Sequence, residues 1–250
     1  MKKPVLYVQR LPDKHKLAFD FCYSAKLGAE QLGIKTKTFI NSDDVPGDPT
    51  NILVGSVEAC SNWLFTNGYP VPEPVNLLNY VPKLGRNIGI SHINDIGHPD
   101  SPFKYPLFIK PHTQIKAFTG FVATDDLTKK VFSENYDGWV LFQDVIEIVS
   151  EYRLYVSNNR PIGMKHYRGD CLTQPSEAFV RNCFNSVKST IDHHSYTLDF
   201  GVLDNGYTVL IEINDGWAIG NYGLEPQTYY LFVRNRWLQM TGIRKRMDGV

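Results

Sequence analysis

Apolar and polar residues alternate along the first part of the chain in a pattern typical of alternating strands and helices. Short apolar runs take turns with longer segments that carry apolar residues at helical spacing, in the order 5–8 (strand), 14–33 (helix), 36–40 (strand), 52–56 (strand) and 57–66 (helix). Gly33 is suited to end the first helix, since glycine accepts the left-handed conformation common at that position. The pattern predicts an α/β layer. It contains no GxGxxG motif, so a dinucleotide site is not expected there.

From residue 105 onward the pattern becomes β-rich, which predicts a change of architecture. Segment 69–82, rich in proline, is expected to be extended and to connect the two parts. Strand patterns follow at 107–111, 119–123, 139–145, 151–156 and 162–167, and helical patterns at 176–192 and 225–240. We therefore predict an α/β unit at residues 1–85 and two α+β units at residues 86–150 and 151–250.

The most informative segment is a predicted hairpin near the C-terminal end. Asn205-Gly206 between two β-rich runs favours a two-residue turn that pairs residue 204 with 207, and therefore Asp199 with Glu212. Strand alternation then places six apolar side chains on one face: Leu198, Phe200, Val202, Val209, Ile211 and Ile213. Asp199, Glu212 and Asn214 share the opposite face.

Two carboxylates directly opposite each other repel, so this pair predicts a compensating partner. A hard divalent cation that takes oxygen ligands is the simplest one, and we interpret Asp199, Glu212 and Asn214 as a Mg²⁺ site. The alternative is that both carboxylates face water, each beside a lysine or arginine.

Several basic side chains are placed to contact phosphate. Lys110 ends an apolar strand and precedes proline, where an ammonium needs either an anionic partner or a path to water. Lys116 and Gly120 follow in a segment suited to a mobile flap over phosphates. Asn158-Asn159 predicts a turn between two strands, and a loop of three residues there would place Arg153 opposite Lys165. Two cations that face each other repel, which favours a polyphosphate partner.

A connector follows the strand pattern at residues 139–145. Gln143, Asp144 and Val145 could offer backbone groups to an adenine edge, and a carboxylate such as Glu151 could bind a ribose. An ordinary link between strands fits these residues equally well.

The composition narrows the classes of partner. Lysine plus arginine and aspartate plus glutamate both number 26, so the formal net charge of zero argues against nucleic acid or an anionic membrane as partner. The four cysteines have no metal-binding spacing, and no segment resembles a secretory signal or membrane span. We expect a cytoplasmic protein with free thiols.

Taken in chain order, these motifs resemble the ATP-grasp superfamily over about residues 105–223. The specific element is a carboxylate followed, at hairpin spacing, by Glu212-Ile213-Asn214. Lys110, Arg153 and Lys165 are similar to the signature of the clade named for an arginine and two lysines, which occurs in bacteria and phages. The resemblance implies an ATP-grasp fold, in which two α+β subdomains hold ATP between them beside a Rossmann-like N-terminal lobe.

The resemblance also implies a role for each site residue. Asp199, Glu212 and Asn214 look like ligands of Mg²⁺ or Mn²⁺. The ATP contacts are Lys110 and Lys116 at the phosphates, Gln143, Asp144 and Val145 at the adenine, Glu151 at the ribose, and Arg153 and Lys165, which also act in catalysis.

The implied activity is ATP-dependent ligation of a carboxylate to an amine through an acylphosphate. The expected partners are small-molecule or peptide substrates, and members of the superfamily are often homodimers. Two alternatives remain open at this point: a kinase-type phosphotransferase, and a nucleotide-binding regulatory module without turnover.

Overall fold

The computed structural model describes residues 4–12, 16–75, 79, 86–98, 103–112, 117–133 and 136–243, and begins with a parallel three-stranded sheet. The first elements are β1 (Val5–Gln9), α1 (Asp20–Gln31), β2 (Lys35–Phe39), β3 (Ile52–Val54) and α2 (Val57–Thr66). The strand order is β2-β1-β3, with both neighbours of β1 parallel to it. The predicted α/β layer is therefore confirmed.

The second sheet is antiparallel, in the order β4-β7-β5-β6. Its elements are β4 (Ile88–His92), β5 (Leu107–Pro111), β6 (Phe121–Ala123), the short helix α3 (Asp126–Phe132) and β7 (Trp139–Asp144). The sequence pattern did not predict β4, because all five of its residues are only half-buried and form no apolar run. Helix α3 was also missed, since it has seven residues and buries none of them.

The third sheet is antiparallel as well, in the order β11-β10-β8-β9. Its elements are β8 (Ile148–Ser157), β9 (Arg160–Gly169), α4 (Glu177–Lys188), β10 (Ser195–Leu203) and β11 (Thr208–Asp215). Helix α4 covers one face, where Cys183 and Val187 pack with Leu198 and Phe200. The other face carries Arg153, Asp199 and Glu212 and is turned towards the second sheet, because Lys110 of β5 reaches Glu212.

The hairpin of β10 and β11 pairs Asp199 with Glu212 as predicted, but its loop length and its register differ from the prediction. The backbone nitrogen of Leu203 donates to the carbonyl of Tyr207, so the loop has three residues rather than two. A bulge between Asp199 and Phe200 then shifts the register by one. Leu210 lies opposite Phe200 and joins the core below α4, so the expectation that Val209 and Ile211 face this core is wrong.

In the hairpin of β8 and β9 the turn is shorter than the loop considered from the sequence, and a bulge again shifts the register. Asn158 and Asn159 form a two-residue turn with φ values of 49° and 58°, and not the three-residue loop considered from the sequence. A bulge between Tyr155 and Val156 shifts the register, and Arg153 pairs with Lys165. Left-handed φ values are tolerated best by glycine and asparagine, which explains the two asparagines.

Helix α5 (Pro226–Met240) packs against the first α/β layer. The rings of Trp237 and Trp63 lie 5.6 Å apart, and a methyl group at Gly28 of α1 would lie 1.9 Å from the carbonyl oxygen of Pro226. One hydrophobic core thus joins residues of the first layer and of the last helix. None of the helices in the described ranges combines the length and apolarity that crossing a bilayer requires.

Candidate functional site

A cavity of about 860 Å³ is lined by residues of the second and third sheets, by the first residue of α2 and by segments between elements. Its polar end is formed by Lys110 of β5 together with Glu212 and Asn214 of β11. The rest of its lining is mostly apolar and includes Val57, Pro72, Val75, Trp217 and Ile219. The cavity therefore brings together two of the predicted metal ligands and one of the predicted phosphate contacts.

Asp199 lies behind this polar end and forms a buried ion pair with Arg153. The guanidinium donates from Nε to Oδ1 at 2.8 Å and from Nη2 to Oδ2 at 2.6 Å, and the two side chains are 6% and 1% exposed. Burial raises the pKa of the Asp199 carboxyl, and the bidentate bond to Arg153 acts in the opposite direction. Arg153 thus supplies part of the compensation that the sequence argument assigned to a cation.

Two stacked tyrosine rings lie beside the same guanidinium. The Cζ atom of Arg153 lies 4.7 Å from the ring centroid of Tyr222 and 5.7 Å from that of Tyr167, and the two rings are stacked 4.6 Å apart. Cation–π contacts of this kind hold a desolvated arginine in a fixed orientation. The sequence motifs gave no sign of either contact, because Tyr222 lies 69 positions away from Arg153 in the chain.

Glu212 lies at the polar end of the cavity between Lys110 and Asn214. Oε2 is 3.7 Å from Nζ of Lys110, and Oε1 accepts a hydrogen bond of 2.9 Å from the Asn214 amide. Burial acts to raise the pKa of Glu212, but the Lys110 charge and the Asn214 hydrogen bond outweigh it and lower the pKa. The carboxylate is therefore ionised at neutral pH.

The donor set at this point fits a hard cation. Glu212 and Asn214 supply carboxylate and amide oxygens at the cavity wall, which is the chemistry that Mg²⁺ prefers. Both oxygens of Asp199 already accept hydrogen bonds from Arg153, so a metal bond there would share an oxygen with the guanidinium. The described residues hold no group of three histidine, cysteine, aspartate or glutamate side chains placed for one ion. The role of Asp199, Glu212 and Asn214 as metal ligands remains a prediction.

Glu151, the predicted ribose contact, is buried and has two protein partners. Tyr167 donates to Oε2 at 2.8 Å and Arg168 donates to Oε1 at 3.0 Å. Burial, together with the charges of Asp199 and Glu151, raises the pKa of Tyr167, which keeps this hydroxyl protonated as a donor. The ribose role of Glu151 remains a prediction.

The predicted adenine contacts lie at the end of β7. Gln143 accepts from Nε of Arg86 at 2.8 Å, and Asp144 accepts from the Asn87 side chain at 2.8 Å. Val145 follows the strand and is exposed. The segment that leads into β4 therefore covers this hinge, a neighbour that sequence reasoning did not identify.

The described end of the predicted flap, residues 117–120, lies beside Lys110. Phe118, Thr119 and Gly120 line the cavity, and a methyl group at Gly120 would lie 3.2 Å from Cβ of Lys110. Lys116, the other lysine of this prediction, lies outside the described residues.

Two further basic side chains differ in their surroundings. Lys165 lies opposite Arg153 on β9, and within the described part of the chain its side chain makes no hydrogen bond or ion pair. His112, which follows Lys110 by two positions, also lines the cavity. Burial and the charge of Lys110 lower the pKa of His112, so its imidazole is neutral at pH 7.

The segment between β11 and α5 also lines the cavity. Ala218 and Tyr222 have φ values of 49° and 50°, which are uncommon for residues other than glycine. The hydroxyl of Tyr155 lies 2.7 Å from the carbonyl oxygen of Gly220 and 2.6 Å from that of Asn221. These contacts hold Trp217, Ala218 and Ile219 at the cavity wall.

Comparison with known proteins adds a family to this geometry. Residues 84–232 match the family model described as ATP-grasp domain, R2K clade family 2. A search of curated proteins gave no match.

Solved structures resemble the whole chain. A RimK domain ATP-grasp protein from Sphaerobacter thermophilus has a TM-score of 0.59 and 13% identity, over 92% of this chain and 99% of that one. N5-carboxyaminoimidazole synthetase from Staphylococcus aureus has a TM-score of 0.57 and 12% identity, over 94% of this chain and 77% of that one. L-amino acid ligase from Bacillus licheniformis has a TM-score of 0.54 and 14% identity, over 95% of this chain and 74% of that one. At these identities the likeness concerns the fold, and it confirms the predicted ATP-grasp architecture.

Proposed function

Because this chain belongs to the ATP-grasp proteins, in family 2 of the R2K clade, we propose that it is an ATP- and Mg²⁺-dependent ligase that joins a carboxylate to an amine. The observation that carries the proposal is the meeting of Lys110 and Glu212, from different sheets, at the polar end of one cavity. A phosphate group next to Lys110 would lie beside a cation held by Glu212.

The proposed reaction has two steps. A carboxylate oxygen of the first substrate attacks the γ-phosphorus of ATP, the bond to the β,γ-bridging oxygen breaks, and ADP leaves an acylphosphate behind. The amine nitrogen of the second substrate then attacks the acyl carbon, the bond to the phosphate oxygen breaks, and the nitrogen loses a proton. Both steps need positioning and charge neutralisation more than a protein nucleophile, which agrees with a site built of cations and carboxylates.

The charged residues would divide this work. Glu212 and Asn214, with Asp199 behind them, would hold the magnesium ion, which supplies charge neutralisation at the phosphates when bound. Lys110 would contact the phosphates and Lys165 the transferred phosphoryl group. Nη1 of Arg153, which donates to the Gly220 carbonyl oxygen at 3.4 Å, would help to stabilise the charge of that group.

The remainder of the cavity would receive the substrates. Its walls near Val57, Trp217 and Ile219 are apolar, so the bulk of at least one substrate is expected to be apolar. The neutral imidazole of His112 lies on the same wall as Lys110 and would accept the proton that the attacking nitrogen loses.

Calorimetric titration with a non-hydrolysable ATP analogue, with and without Mg²⁺, tests the nucleotide and metal part of the proposal. Magnesium-dependent binding by the wild type is expected, followed by ADP release in a screen of carboxylate and amine pairs. Absence of binding under both conditions would overturn the proposal. A stable phosphorylated product formed without any amine would instead identify a phosphotransferase, and binding without any turnover would identify a regulatory module.

A further inference from the structure

Arg86 contacts two sheets at once. It lies in the segment that leads into β4, and its Nε donates to the side-chain oxygen of Gln143 on β7 at 2.8 Å. On β11 its Nη2 donates to the carbonyl oxygen of Ile211 at 2.7 Å, and its Nη1 donates to the carbonyl oxygen of Leu210. One side chain therefore joins the adenine hinge of the second sheet to the hairpin of the third.

The two carbonyl groups belong to the bulge that precedes Glu212. The register shifts at this point, and β11 is also an edge strand of its sheet. Backbone groups at a bulge or a sheet edge lack regular strand partners and need other donors. Arg86 supplies these donors, and the position of the bulge in turn sets the position of Glu212.

The chemistry of a guanidinium suits this role. Burial lowers the pKa of Arg86 to about 10, while the charge of Glu212 opposes this shift, so the side chain stays protonated at neutral pH. A guanidinium presents its donors in a rigid planar fork and can bind three acceptors in a fixed arrangement. A lysine ammonium at the end of a flexible stem cannot reproduce that geometry.

We propose that Arg86 is a positioning residue that fixes Glu212, and with it the metal site, relative to the hinge that binds the adenine. The inference rests on the proposed function. Arg86 would act on Glu212 through Gln143 and the bulge at Leu210 and Ile211.

The test compares Arg86→Lys with the wild type, using Arg181→Lys as the matched control because Arg181 is an exposed arginine on α4. Calorimetry measures the Mg²⁺ concentration that gives half-maximal binding of the non-hydrolysable ATP analogue. In Arg86→Lys this concentration should rise about tenfold, as is common when a residue that orients a metal ligand is changed. Analogue affinity at saturating Mg²⁺ should change less than about threefold, and Arg181→Lys should match the wild type.

Hydrogen exchange of the ligand-free protein gives a second reading, independent of nucleotide. Amides of residues 208–213 should exchange faster in Arg86→Lys than in the wild type, while those of β1 and α5 stay unchanged. A purely structural role would instead weaken binding at every Mg²⁺ concentration and leave the half-maximal value unchanged. That result, beside normal wild-type binding, would overturn the inference alone, whereas no wild-type binding would overturn the proposed function and the inference with it.

Discussion

Lys110 of β5 and Glu212 of β11 meet across the cleft between the second and third sheets, with Nζ and Oε2 3.7 Å apart. The two side chains are about equally exposed, at 34% and 33%, so both remain accessible from the cavity. Under the proposed function, this contact would place a phosphate-binding cation and a metal-binding carboxylate at one point. A ligand that carries both phosphate and magnesium would then contact both sheets at once.

The first prediction concerns the charge of Glu212. Glu212→Gln keeps the shape and the Asn214 contact but removes the negative charge that a hard cation requires. We expect Mg²⁺-dependent binding of a non-hydrolysable ATP analogue to weaken by about tenfold or more, with the fold retained. Calorimetry and thermal unfolding measure the two effects. Glu177→Gln on the exposed face of α4 is the control, and unchanged Mg²⁺ dependence in Glu212→Gln would refute the metal assignment.

The second prediction concerns the buried pair of Arg153 and Asp199. Arg153→Met leaves the Asp199 carboxylate buried without its partner, and the expected loss of unfolding free energy is about 3–5 kcal/mol. The double variant Arg153→Met/Asp199→Leu should be more stable than the single variant, because no uncompensated charge remains. Urea unfolding of both proteins measures the difference. A double variant less stable than Arg153→Met would contradict this account.

The third prediction concerns the close approach of Gly120 to β5. A methyl group at Gly120 would lie 2.6 Å from Cζ of Phe108, so either the Phe108 ring or the backbone at Gly120 must shift in Gly120→Ala. We expect nucleotide affinity to fall by about fivefold or more, since an overpacked contact of this kind costs about 1–3 kcal/mol. Calorimetry provides the affinities. Gly47→Ala is the matched control, because its added methyl meets only the side chain of Asn67, far from the site.

The fourth prediction concerns the protonation of His112. Its pKa lies below the ordinary value because of burial and the Lys110 charge, so the base form predominates at pH 7 and is lost as the pH falls through the lowered pKa. The rate of ADP release with a working substrate pair should fall along that acid limb. In His112→Asn the rate should be lower and this limb absent, whereas His98→Asn should keep the wild-type profile. An identical acid limb in His112→Asn would exclude His112 as the proton acceptor.

The sequence predicted the pairing of Asp199 with Glu212 and of Arg153 with Lys165 through turn lengths that proved wrong. In the first hairpin a longer turn is offset by the bulge before Glu212, and in the second a bulge accompanies a shorter turn than the loop considered. A turn motif carries information about the nearest residues, whereas a bulge depends on packing several positions away. The prediction that Ile211 lies on the core face of the hairpin was wrong for the same reason.

The partners of the site residues were the part that sequence reasoning could not supply. Helix and strand periods place Asp199 and Arg153 on a common face, but they do not show that the two form a bidentate pair. Arg86 reaches the site from a segment without a recognisable motif, and the resemblance over residues 105–223 did not indicate that Tyr222 contacts Arg153. Such contacts arise from the way the sheets pack, and a pattern within one strand or helix cannot predict them.

The core shared by the first α/β layer and helix α5 has a consequence for the order in which the chain is synthesised. Leu6 and Trp63 of the layer share one core with Phe232 and Trp237 of α5. A ribosome must therefore synthesise α5 before the residues of the first layer, which precede it in the chain, can complete their packing. Until then the surface of α1 that faces α5 stays exposed, and chaperones can bind it or proteases can cleave there on an unfinished chain.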